Sequence, residues 1–186
     1  MAYYSTRGLR GSVLEDLINM ANETYRKQGI ALIQKIPTPI KPVEFDSKRR
    51  TISLAYFEQR STVDYIGLLR GIPMCFDAKE TAQKNLPVAN IHPHQVEFMR
   101  EFDRQGGLAF LLVHFSAEDS YYLLPFEVLN TYFDEEGEHK GLKTIPREIF
   151  EERFRIPQQS GGIPLHYLKA VLEYYKIKQE AEHGGL

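Results

Sequence analysis

Cysteine is almost absent: Cys75 is the only one in 186 residues, which excludes an intramolecular disulfide and a zinc cage built from cysteines, and fits a reducing compartment. Long apolar runs are missing as well. None approaches the roughly 20 residues that a bilayer-spanning helix needs, and Met1 to Leu9 lacks the apolar stretch of a signal peptide. The expectation is a soluble, cytoplasmic protein with no membrane partner. Internal repeats and low-complexity tracts are lacking, and the length suits one sizeable core but not two, so a single domain spanning 1–186 is expected. Excess charge is scarce too. A net charge of −2 by itself argues against a polyanionic partner, because phosphate binding relies on Lys and Arg displacing counterions.

The charge is unevenly spread, however. Residues 1–79 carry 12 Lys and Arg against 8 Asp and Glu, and the remainder 11 against 17. The acidic excess gathers at Asp134, Glu135, Glu136, Glu138, Glu148, Glu151 and Glu152, which reads most simply as a solvated face remote from any bound polyanion.

Hydrophobic periodicity predicts a helix from about Ser12 to Gln28, with Leu14, Leu17, Ile18, Ala21 and Tyr25 on one face. Ser12 suits its N-cap, Glu15 completes a capping box, and Gly29 suits its C-terminal stop. Ala31 to Gln34 reads as a short strand, after which Pro37, Pro39 and Pro42 keep the chain extended. Val43–Phe45 and Thr51–Phe57 read as a projecting hairpin with Asp46 and Ser47 at the turn and Lys48, Arg49 and Arg50 as its basic tip. Tyr65–Leu69 and Ile72–Phe76 form a second hairpin through Arg70 and Gly71. Pro93 suits the first turn of a helix that Gly106 and Gly107 end, and Leu108–Phe115 is a near-continuous apolar run, as a strand buried on both faces would be. Tyr121–Leu124 reads as an edge strand. Short helices are expected near Phe126–Phe133 and Arg147–Phe154, and a last helix at Leu165–Glu180 should bury Leu168, Val171, Leu172 and Tyr175. This order of elements fits an α/β fold with a mixed sheet flanked by helices.

Asp64 precedes one predicted strand and Asp77 ends the next, with Lys79 on the same face as Asp77 by alternation. Two carboxylates offer the hard oxygens magnesium prefers, and a lysine beside them can neutralise charge on a reacting phosphate. Read without any relative, the simpler account is that Asp64 caps a turn and that Asp77 and Lys79 form an exposed pair at a strand end. His92 and His94, two apart, lack a third histidine or cysteine at a zinc-binding spacing.

Several stretches together resemble the RecU family of Holliday junction resolvases, within the PD-(D/E)xK nuclease superfamily. They are Thr6-Arg7-Gly8, Leu14-Glu15-Asp16, Lys35-Ile36-Pro37-Thr38-Pro39, Ala55-Tyr56-Phe57, Ser61-Thr62-Val63-Asp64-Tyr65, Phe76-Asp77-Ala78-Lys79-Glu80-Thr81 and His92-Pro93-His94-Gln95. The resemblance is strongest over Thr6 to Phe115. It implies a restriction-endonuclease-like fold with a projecting hairpin stalk (41–61), and a magnesium-dependent endodeoxyribonuclease, with manganese as a substitute, acting in recombination and repair. It makes Thr62, Asp64, Asp77 and Gln95 the metal set and Lys79 the transition-state stabiliser, with Glu15 a further catalytic candidate alongside its capping role. Arg7, Arg10, Lys48, Arg49, Arg50 and Arg60 are candidate DNA contacts. A four-way junction, a second copy of the chain and a recombinase are the implied partners. Position 77 departs from the family, which usually carries glutamate there. The competing readings are a module that binds branched DNA or a recombinase without cutting, and a restriction-like nuclease of duplex DNA.

Overall fold

The computed structural model describes residues 13–57, 62–135 and 137–183. In chain order the elements are α1 (Val13–Lys27), β1 (Ala31–Lys35), β2 (Ile40–Asp46), β3 (Thr51–Phe57), β4 (Tyr65–Leu69), β5 (Ile72–Thr81), β6 (Leu86–Pro87), α2 (Pro93–Arg104), β7 (Leu108–Phe115), β8 (Ser120–Pro125), α3 (Phe126–Asn130), β9 (Thr144–Ile145), β10 (Gln158–Ser160), β11 (Ile163–Leu165) and α4 (Leu168–His183). Ser12, the expected cap of α1, lies outside the described residues. At the other end of α1, Gly29 adopts φ +65° and the Ile30 N–H bonds back to the Tyr25 carbonyl, which is the helix stop its sequence predicts.

The central sheet is mixed, in the order β1-β4-β5-β7-β8, with helices on both faces. Only β5 and β7 run parallel, and α2 lies between them in the chain, as a parallel connection requires. Alternation divides the core in two. Phe76, Phe110 and Leu112 meet Leu14 and Ile18 of α1 and Val171 of α4 on one face, while Cys75, Leu111 and Val113 meet Val96 and Met99 of α2 on the other. Tyr65, Phe76 and Phe110 stack across three strands at 4.8 and 4.9 Å. The fully buried β7 is the interior strand its near-continuous apolar sequence predicts. Among the described residues no helix is long and apolar enough to cross a membrane.

Three expectations are corrected. Strand β5 does not end near Phe76 but runs on to Thr81. Arg147–Phe154 is not one helix: two single-turn segments, Arg147–Ile149 and Glu152–Phe154, are separated by extended backbone at Phe150 and Glu151, which sends Phe150 and Phe154, four apart and so on one face of any helix, into the cores on opposite faces of the sheet. Gly161 and Gly162, with φ +63° and +76°, turn a small β10–β11 hairpin, so the last helix starts at Leu168 and leaves Leu172 48% exposed.

Strands β2 and β3 pair only with each other. Every residue of β2 is exposed, with register shifts beside Pro42 and Glu44. Asp46 Oδ1 accepts the Lys48 and Arg49 N–H groups at 2.9 and 3.1 Å, so a side chain pins the turn and presents Lys48, Arg49 and Arg50 to solvent.

Candidate active site

Lengthening β5 changes what Asp77 is. It sits mid-strand, paired with Leu111 of β7, and is 0% exposed. Lys79, two residues on, shares its face and stands 3.0 Å from Asp77 Oδ2. Asp64 occupies the bend entering β4, which pairs with β5 from Tyr65 and Phe76 onward. The two acids are tied reciprocally. Asp77 Oδ1 accepts the Asp64 N–H at 2.7 Å, and Asp64 Oδ2 accepts the Ala78 N–H at 2.9 Å. Gln95, buried in the first turn of α2, accepts the Lys79 ammonium at 3.0 Å and the His92 N–H at 3.1 Å on one oxygen.

Two carboxylates held this closely in a poorly solvated place resist ionising. Burial, and then the Asp77 charge, push the Asp64 carboxyl up to about 6. Burial also raises Asp77, against the opposing pull of Lys79. Glu15 on α1 adds negative charge felt at Asp64, and its carboxylate is held by Lys35 at the end of β1.

Asp64, Asp77, Lys79 and Gln95 are thus brought together, with Glu15 at the margin. Thr62 is half-buried on the segment entering β4, two residues before Asp64. Arg7, Arg10 and Arg60 lie outside the described residues, and Lys48, Arg49 and Arg50 stand at the hairpin tip. Sequence reasoning overlooked two contributors. Lys35 opens the Lys35-Ile36-Pro37-Thr38-Pro39 stretch, yet only the fold reveals its contact with Glu15, and main-chain N–H groups such as those of Ala78 and His92 leave no mark in a sequence.

The residues present fit a hard divalent cation. Asp77 Oδ2 is buried and makes no hydrogen bond of regular geometry, and both carboxyls gain from a positive charge beside them. Among the described residues no group of three or more His, Cys, Asp and Glu converges on a metal-sized space. Magnesium, which commonly uses one or two carboxylates and keeps several waters, does not require one.

Comparison with known proteins agrees with the resemblance. Residues 9–173 match the family described as Recombination protein U, RecU. The chain is 39% identical over 171 residues to the Holliday junction resolvase RecU of Streptococcus pneumoniae (strain ATCC BAA-255 / R6), covering 89% of this chain and 84% of that protein. It is 44% identical over 167 residues to the protein of the same name from Limosilactobacillus reuteri (strain DSM 20016), covering 87% and 81%. Among solved structures, the Holliday junction resolvase Hjc of Archaeoglobus fulgidus matches with a TM-score of 0.42 and 9% identity, over 72% of this chain and 90% of that one.

Proposed function

The chain belongs to the RecU family, and from that premise we propose that it is a magnesium-dependent Holliday junction resolvase, an endodeoxyribonuclease that cuts four-way DNA junctions as a homodimer. The observation that carries the reading is the reciprocal clasp of Asp64 and Asp77 with Lys79 beside it. It collects, in one buried cluster, two hard-oxygen ligands and one cation aimed at the same small volume.

Asp64 and Asp77 would hold the cation, and Thr62 and Gln95 would add neutral oxygens, directly or through water. When bound, magnesium supplies the charge that draws the pKa of a water down toward hydroxide; manganese substitutes because it accepts the same oxygens. Water gives up a proton to solvent as it attacks phosphorus in line, the bond from phosphorus to the 3′ oxygen breaks, and that oxygen leaves and takes up a proton from solvent. Lys79 is placed to offset the negative charge that grows on the phosphoryl oxygens during the displacement. Two strands of like polarity must be cut, and a two-fold dimer supplies two identical sites for them. The β2–β3 hairpin, with its basic tip, suits the opening at the centre of a junction.

The test is cleavage of a synthetic four-way junction in magnesium by the wild-type chain and by Asp64→Asn and Asp77→Asn, with binding followed in parallel. Each substitution is expected to abolish cutting while leaving junction affinity largely intact. Full cutting by either variant overturns the site. Binding without cutting by the wild-type chain, in magnesium and in manganese alike, makes it a non-cleaving branched-DNA module.

A further inference from the structure

Helix α1 carries two stripes. The apolar one, Leu14, Ile18, Ala21 and Tyr25, is buried against the sheet. One residue further on at each step runs a polar one, Glu15, Asn19, Asn22 and Arg26, with the same spacing, so these side chains follow one another along one line of the helix. Beyond Glu15 this line borders a cleft of about 230 Å³ between α1 and the edge strand β1, lined by Asn19, Asn22, Glu23, Arg26, Ile33 and Lys35. Its lining is rich in donors for a physical reason. Tyr65 and Tyr167 are fully buried, and each donates its phenol proton to a carboxamide oxygen, Tyr65 to Asn19 Oδ1 at 3.1 Å and Tyr167 to Asn22 Oδ1. With both oxygens engaged, what the two amides have left are their NH2 groups, which can only donate. Lys35 spends one of its three ammonium N–H groups on Glu15. The carboxylate in the lining, Glu23, is already paired with exposed Lys27 at 3.0 Å and lies 4.0 Å from Arg26. Two amide donors and two cations around one small space suit a phosphate, whose oxygens accept from several donors at once.

We infer that this cleft is a second phosphate subsite, in which Asn19, Asn22, Lys35 and Arg26 hold a backbone phosphate of the bound DNA at a short distance from the one being cut. The inference deepens the nuclease reading and rests on it. Position favours this occupant. Lys35 touches Glu15, whose charge is felt at Asp64, so the cleft opens where the acidic cluster ends. Asn22 lies seven residues along α1 from Glu15, about 10 Å at a rise of about 1.5 Å per residue. Phosphates of one strand advance about 3.4 Å each along the duplex axis, so a backbone that follows α1 puts the held group about three phosphates from the scissile one. Past Arg26 the basic surface continues to Arg70 of the β4–β5 turn, across a second cleft that both arginines border.

Phosphate interference on a synthetic four-way junction tests this, in metal-free buffer so that nothing is cut. Single phosphates of one strand are replaced by uncharged methylphosphonates, and affinity is measured for the wild-type chain, Asn19→Asp, Asn22→Asp and Arg26→Gln. Each aspartate keeps the oxygen to which its tyrosine donates and sets a negative charge where the amide donors stood. Both aspartate variants are expected to bind the unmodified junction about tenfold more weakly. Arg26→Gln should bind more weakly too, with a salt slope reduced by about 1. One phosphate, about three from the bond that magnesium-supported cleavage breaks, should cost the wild-type chain about fivefold when neutralised and the aspartate variants almost nothing, because the contact is already lost in them. A variant that had only lost its fold would weaken on every DNA alike and keep the wild-type interference pattern, so the pattern separates a phosphate contact from a structural role. Wild-type affinity in all three variants, or the same interference pattern in the wild-type chain and both aspartate variants, overturns the subsite. If the wild-type chain shows the expected pattern but leaves the junction uncut in magnesium and in manganese, the nuclease reading fails while the phosphate subsite stands.

Discussion

Asp77 Oδ1 accepts the main-chain N–H of Asp64 at 2.7 Å, so the strand that carries one acid also fixes the bend that carries the other. The arrangement is costly without a cation. Asp64 has an ordinary value of 3.8 and is pushed up to about 6 by burial and then by the Asp77 charge. Folding therefore favours its protonated form: the contribution is fully present below about pH 4 and is lost as pH rises through about 6. In metal-free buffer Asp64→Asn should accordingly be more stable than wild type at pH 8, by on the order of 1–2 kcal/mol once partial access to water is allowed for, and the gap should close near pH 4. Added magnesium should stabilise wild type at pH 8, where its ligands are ionised, and hardly at all at pH 4. Urea melts at the two pH values check this. A gap that is independent of pH would remove the acid pair as its source.

Lys79 faces Asp77 at 3.0 Å in a site closed to most solvent. Lys79→Ala should slow single-turnover junction cleavage by about 10²–10³-fold, the usual cost of losing a charge stabiliser in the transition state. Junction affinity should change far less, since an 11% exposed side chain offers little to the ground-state duplex arms. A proportionate loss of binding would make Lys79 a phosphate anchor.

Gly67 of β4 pairs with Ile33 of β1, and a Cβ there would lie 2.5 Å from the Leu32 carbonyl oxygen and 2.8 Å from the Ile33 Cα. Both are backbone atoms that no rotamer change can move aside. Gly67→Ala should destabilise the chain by about 1–3 kcal/mol, as overpacking usually does, and lower the melting temperature by several degrees at about 2–4 °C per kcal/mol for a domain of this size. An unchanged melting temperature would show that β1 yields freely at the sheet edge.

The elements most legible in the sequence are those whose local and tertiary preferences agree. In α1 the apolar stripe and Gly29 act together; in the β4–β5 turn Arg70 and Gly71 both take positive φ, +49° and +90°, as a two-residue hairpin requires. In β7 seven apolar residues and His114 are all buried. What misled was chemistry set inside structure. Asp77 and Lys79 interrupt an interior strand with polar side chains, so β5 looked finished at Phe76 although it continues to Thr81. Residues 147–154 depart for another reason: a helix would put Phe150 and Phe154, four apart, on one face, but Phe150 packs into the core on one side of the sheet and Phe154 into the core on the other, and the chain gives up helical hydrogen bonds to send them apart. Asp64, Asp77 and Lys79 were legible as a spacing and a resemblance. The commitment of the Gln95 oxygen to His92 and Lys79 was not, because it depends on two elements meeting.

The β2–β3 hairpin decides between a junction enzyme and a nuclease of plain duplex. Its turn is pinned by the Asp46 carboxylate, which accepts the Lys48 and Arg49 N–H groups, so three basic side chains are presented from a defined tip. A lone two-stranded ribbon gains little from its own packing, and the exposed Phe45, Ile52, Leu54 and Tyr56 leave the free ribbon with apolar surface in water. These features suit insertion into an opening that a four-way junction has and a linear duplex lacks. Replacing Lys48, Arg49 and Arg50 by alanine should weaken junction binding, reduce the salt dependence of its affinity by up to about 3 in slope, and spare the weaker binding to duplex. Fold stability should change little, because the three side chains are exposed, the Asp46 hydrogen bonds are made to backbone, and its ion pair with Arg49 is long and solvated. Competition between four-way junction and duplex at several salt concentrations measures each of these. An equal proportional loss on both substrates would reduce the tip to a general phosphate clamp and leave the choice of junction over duplex to other parts of the molecule.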